Sequence, residues 1–201
     1  MSDSQEEFMK NTNKMTVKTL VLGAILTALV IVFQLLATFT AFFGPFSSAV
    51  ALIPIAIGAI LCGPAIGAWL GLVFAIVVLA SGGANLFLAV DIPGTIVTVI
   101  AKGVLCGFVA GSVYKLLKKW NTTVAAISAS IICPIVNTGV FMLGCIVFFL
   151  DDAVAIAEML GSADTGIALF VALALGNFLL EVGMNTILSP IIVRLLKIRN
   201  I

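Results

Sequence analysis

Residues 102–111 read Lys-Gly-Val-Leu-Cys-Gly-Phe-Val-Ala-Gly, and residues 63–71 read Gly-Pro-Ala-Ile-Gly-Ala-Trp-Leu-Gly. Each stretch carries three glycines four apart, Gly63, Gly67 and Gly71 in one and Gly103, Gly107 and Gly111 in the other, inside long apolar runs. Glycines at that spacing share one helix face and let a neighbouring backbone come close, which is how helices pack where lipid removes the hydrophobic drive. Lys102 stands immediately before the second run. A lysine at bilayer depth is costly unless a partner or a polar cavity receives it. The two stretches together predict a compact helical membrane protein with a polar site inside it.

Composition agrees. Of 201 residues, 62% are hydrophobic and 9% charged, and the mean hydropathy is +1.30; soluble domains carry about 25% charged residues. A net charge of +1 gives no reason to expect a nucleic-acid partner. The four cysteines (Cys62, Cys106, Cys133, Cys145) are scattered through apolar segments without C-x-x-C spacing and read as small core residues. Histidine is absent, which removes the commonest general base and argues against zinc, haem or phosphohistidine chemistry. No metal or cofactor is expected. Residues 1–16 read as a polar tail, and the long apolar run behind them as a retained first helix, without a small-residue cleavage site.

Six spans are expected over residues 17–201: Val17 to Phe39, Phe46 to Cys62, Ala65 to Ala80, Pro93 to Leu117, Thr122 to Leu150 and Ile167 to Leu196. The second and third are short against the ~20 residues a span needs and also fit a broken or re-entrant pair. Lys10, Lys14 and Lys18, then Lys115, Lys118 and Lys119, then Arg194, Lys197 and Arg199 all fall on one side of a six-span chain. The positive-inside rule makes that side cytoplasmic. The other side holds Asp91, Asp151, Asp152, Glu158 and Asp164 with no Lys or Arg. Both termini are expected inside, and Trp120 falls beside the basic link as an interfacial aromatic.

At 1.5 Å per residue, Lys102 lies roughly 15 Å below the outer surface, near the middle of a ~30 Å core. Asn177 falls at similar depth in the last span, with Glu181 and Asn185 one and two turns deeper on the same face. Asn137, one turn after Pro134, belongs to the outer half of the fifth span. Thr95 and Thr98 share a face with Lys102, and Gln34 sits near the outer end of the first span. The functional reading is a pocket open to the outside, with Lys102 supplying positive charge and Asn137 and Asn177 supplying donors and acceptors. The plainer reading is that Lys102 and Glu181 neutralise each other while the asparagines tie helices together, at about 0.6–2 kcal/mol each. Thr40 to Pro45 is placed to act as a lid or as an interfacial anchor, and Ala84 to Asp91 as a wall. With 14 Phe and one Tyr, the site offers phenyl faces but few platforms for a large stacked cofactor.

This order of features resembles the substrate-binding S components of energy-coupling-factor (ECF) vitamin transporters, over essentially the whole chain after Thr16. The carriers of the resemblance are Ala24-Ile25-Leu26-Thr27-Ala28 in the first helix, Cys62-Gly63-Pro64 between two short helices, Lys102-Gly103, Pro134-x-x-Asn137 and the Asn-rich last helix. The resemblance implies an all-α six-helix bundle with both ends in the cytoplasm of a bacterial-type membrane. It implies high-affinity capture of a vitamin-like substrate from outside by the outer loops and helices four to six, and the polar residues read above, Lys102, Asn137, Asn177, Glu181, Thr98 and Gln34, are the candidates for that site. Partners follow from it too: a transmembrane T component, docked through Ala24 and Ala28, and two cytoplasmic ATPase subunits. ATP hydrolysis is expected on those subunits, since this chain has no G-x-x-x-x-G-K-[ST]. A flavin-binding member is expected to carry a lysine where Glu181 stands, which disfavours riboflavin; a small carboxylate such as pantothenate suits Lys102 better. The competing readings are a stand-alone secondary transporter, with Lys102 and Glu181 as a coupled pair, and a membrane scaffold whose glycine ladders serve only interfaces. Without histidine or a nucleophile–base constellation an enzyme is disfavoured.

Overall fold

The computed structural model describes residues 17–40, 50–149, 176, 178–187, 189–190 and 192–194. Six helices are bounded: α1 (Val17–Thr40), α2 (Leu52–Cys62), α3 (Pro64–Ala80), α4 (Asn85–Leu88), α5 (Ile92–Leu117) and α6 (Thr122–Phe148). Residues 178–187, 189–190 and 192–194 are helical as well, and no strand occurs among the described residues. Among the described residues three helices, α1, α5 and α6, are long and apolar enough to cross a membrane. At 1.5 Å per residue the 11-residue α2 covers about half of a bilayer core. Large apolar side chains point outward, among them Leu36 of α1, Val97 of α5 and Leu143 of α6. A surface of this kind is matched to lipid.

Local chemistry sets the helix boundaries. Gly63 adopts φ 96° and ψ 175°, a region nearly closed to residues with a side chain. Its N–H donates to the Ala59 carbonyl at 3.1 Å, and Pro64 opens α3 with the φ a first turn requires. Asp91 caps α5, its Oδ2 accepting the Gly94 N–H at 3.1 Å. Asn121 caps α6, its Oδ1 accepting from the Thr123 and Val124 N–H groups at 2.9 and 3.2 Å. Each cap meets backbone donors that would otherwise be orphaned at the helix start.

The two glycine runs of the sequence face each other. A methyl on Gly67 would land on the Gly107 carbonyl, one on Gly71 on the Gly103 carbonyl, and one on Gly111 on the backbone of Pro64. α3 and α5 thus run antiparallel in register, backbone against backbone, for two turns. Around this pair, Gly58 of α2 makes room for Leu70 and Leu26, and the Trp69 indole N–H donates to Thr27 Oγ1 of α1 at 3.3 Å. Leu26, Val30, Leu52, Ile55, Leu70, Phe74, Val99 and Cys106 form the main core. No cysteine is in a disulfide.

On its other side α5 meets α6. A Cβ on Gly144 would strike the Thr98 side chain, and one on Gly94 would come 2.8 Å from Phe148. The stretch expected to be a wall, Ala84 to Asp91, contains the single-turn helix α4. Its Phe87 packs edge-on against Phe141 and Phe149 of the α6 region, ring centroids 5.3 Å apart in both pairs.

Candidate functional site

Lys102 belongs to the part of α5 that turns toward α6, one residue away from the glycine seam. It is half-buried, and its ammonium lies 4.8 Å from the centroid of Phe141 and 6.0 Å from that of Phe74. The negative faces of two phenyl rings from two different helices therefore receive the charge. Phe141 is held in turn by Phe87 of α4, so the ring beneath the ammonium is braced by a third element.

One turn before Phe141, Asn137 is buried and donates through Nδ2 to Glu181 Oε2 at 3.4 Å. Thr138 Oγ1 donates to the same oxygen at 3.2 Å. Glu181 is 1% exposed and lies close enough for its charge to act on Lys102. The sequence offers Glu181 as an ion partner of Lys102; the hydrogen bonds described at its carboxylate come from α6 instead. Asn185 donates to the Glu181 backbone carbonyl at 2.9 Å, a bond within its own helix.

Three polar atoms here are buried without a hydrogen-bond partner among the described residues: Thr98 Oγ1, Asn137 Oδ1 and Asn185 Oδ1. Thr98 stands one turn before Lys102 on α5, against Gly144. The α5–α6 junction and the C-terminal helical residues thus gather Lys102, Thr98, Asn137 and Glu181. Each orphaned atom leaves a desolvation cost of about 1–3 kcal/mol for some other group to offset.

Gln34 belongs to a separate polar cluster. Its Nε2 donates to Thr38 Oγ1 at 3.4 Å, Thr38 Oγ1 shares a 3.0 Å hydrogen bond with Ser81 Oγ, and its own Oε1 is buried without a partner. These contacts tie α1 to the turn after α3. Asn177 lies outside the described residues, as does the lid candidate beyond Thr40. Ala24 and Ala28 are exposed on α1. Sequence reasoning missed Phe74, Phe87, Phe141 and Thr138. The Asn137-Thr138 dipeptide was a usable signal, being two adjacent polar residues in an apolar helix; the phenylalanines were hidden among 14.

A family model, the substrate-specific component of ECF transporters, matches residues 18–193. The chain belongs to this family. No curated protein and no solved structure matches it. The S component is accordingly a substrate-binding subunit of a membrane transporter and not an enzyme. Membership also implies a small-molecule substrate and association with a T component and ATPases.

Proposed function

We propose that this S component captures a vitamin or related small micronutrient on the outer side of the membrane and delivers it inward through its partners. In this reading residues 17–201 form a six-span domain with a cytoplasmic tail at 1–16 and both termini inside, as the three Lys/Arg clusters favour. Lys102 supplies the positive charge of the pocket, Thr98, Asn137 and Asn177 its hydrogen bonds, Glu181 a carboxylate at its inner edge, and Gln34 a contact from α1. Ala24 and Ala28 present a small-residue stripe to the T component, and two cytoplasmic ATPases drive release.

The observation that carries the reading is the meeting of a phenyl-cradled ammonium with the unpaired oxygens of Thr98 and Asn137. Small acids suit the ammonium, and pantothenate-like carboxylates fit this chemistry better than a flavin.

The test is mass spectrometry of small molecules released from the purified, detergent-solubilised chain, with Lys102→Ala prepared in parallel. The expected result is one vitamin-like compound carried by the wild type and lost from a variant that remains folded. An identical load on both proteins, or none on either, refutes the pocket.

A further inference from the structure

The hydrogen-bond pattern around Glu181 carries more than a location. A carboxylate can only accept, so the Asn137 amide must turn its Nδ2 toward Glu181 Oε2, where the donor–acceptor distance is 3.4 Å. Thr138 donates to the same oxygen and reinforces that choice. The amide has two ends. With Nδ2 anchored on Glu181, Asn137 turns Oδ1 to its other side, and that atom is buried with no partner among the described residues. An amide left to itself could turn over and offer either a donor or an acceptor; this one is held in one orientation.

We infer that Glu181 is a positioning residue that holds the Asn137 amide with its oxygen turned to the pocket, so that the pocket selects a small acid that also carries an N–H. This rests on the pocket reading above. Lys102 takes the acid. Its ammonium stands over Phe141, and Asn137 precedes that ring by one turn of α6. The Thr98 hydroxyl, one turn before Lys102 on α5 and itself without a partner among the described residues, is available to the far oxygen of the carboxylate. Glu181 thereby acts on the ligand without touching it, and the nearby Lys102 offsets its charge.

Two probes of equal length separate the roles. N-acetyl-β-alanine has a carboxylate and an amide N–H; 3-acetoxypropanoate replaces the N–H by an ester oxygen. Binding to the full-length protein in detergent is measured by calorimetry. The wild type should prefer the amide by about 10-fold or more, because the ester leaves Asn137 Oδ1 unpaired and sets two acceptors against each other. Glu181→Gln frees Asn137 to turn over, since glutamine can donate as well as accept, and the preference should fall toward one with the amide affinity reduced. Lys102→Gln should weaken both probes alike and keep their ratio. Equal affinity of the two probes for the wild type overturns the inference. So does an unchanged ratio in Glu181→Gln, or failure of both probes on a chain that still releases its own ligand. Absence of any released ligand is the separate failure of the pocket itself.

Discussion

The contact between α3 and α5 makes a prediction that can be worked through. In Gly71→Ala the new methyl falls on the Gly103 carbonyl oxygen and 2.6 Å from its carbon, where ordinary contact begins at 3.4 Å. Backbone cannot swing aside as a side chain does, so the helices must part by about 1 Å, which forfeits a quarter to a half of each dispersion contact across the seam. Overpacking of this sort costs about 1–3 kcal/mol. The better helix propensity of alanine returns up to about 1 kcal/mol. For a chain of this size each kcal/mol moves the midpoint by about 2–4 °C, so Gly71→Ala should melt about 2–12 °C below a glycine-to-alanine change that gains the same propensity without a clash. Gly139→Ala is the matched control: Gly139 is an exposed position on α6 with no atom within 4 Å of the new methyl, and its midpoint should hold or rise. Thermal unfolding in one detergent, read by the loss of the monodisperse size-exclusion peak, compares the two. Because Gly67 and Gly71 abut the same partner helix, one displacement relieves both clashes, and Gly67→Ala with Gly71→Ala should cost less than the sum of the singles. A Gly71→Ala protein as stable as Gly139→Ala would refute the backbone seam.

Three further outcomes are expected. Gly63→Ala meets open space yet must hold φ 96°, so it should lose about 1–3 kcal/mol from strain alone; a neutral result in the same thermal assay would mean the turn is not held in that conformation. Asp91→Ala removes the α5 cap and should cost about 1 kcal/mol, with Asp91→Asn recovering most of it. Ala24→Leu or Ala28→Leu, on the exposed face of α1, should leave ligand binding intact and abolish ATP-driven uptake in vesicles containing the partners; surviving uptake would place docking elsewhere.

Much of this was readable in advance, and the part that was not has a physical pattern. Spacing along one helix fixes which residues share a face, so the glycine runs, the Gly63-Pro64 turn and the caps could be read from the chain. Spacing does not say which other helix a face will meet. That the two glycine runs would pair with each other, level by level, appears only when α3 and α5 are set side by side. Lys102 and Glu181 illustrate the same limit. Counting residues suggests that the two charges lie near each other; what it does not show is the company each keeps, Phe74 and Phe141 at Lys102 and Asn137 and Thr138 at Glu181. Helix α4 escaped notice because four residues are too few to show a period. Nor does the position of Gln34 in the sequence reveal that its hydrogen bonds lead through Thr38 to the turn after α3.

Lys102 and Gly103 are neighbours in the chain and about 100° apart around the helix, at 3.6 residues per turn. One residue faces the rings that hold a charge; the next meets the backbone of α3. Helix α5 therefore divides its circumference, with Gly103, Gly107 and Gly111 devoted to assembly and Thr98 and Lys102 to chemistry. On the proposed pocket, a substitution at 98, 102, 137 or 141 changes what the chain can carry and leaves the glycine contact untouched. Selection can exchange the cargo while the frame is inherited whole.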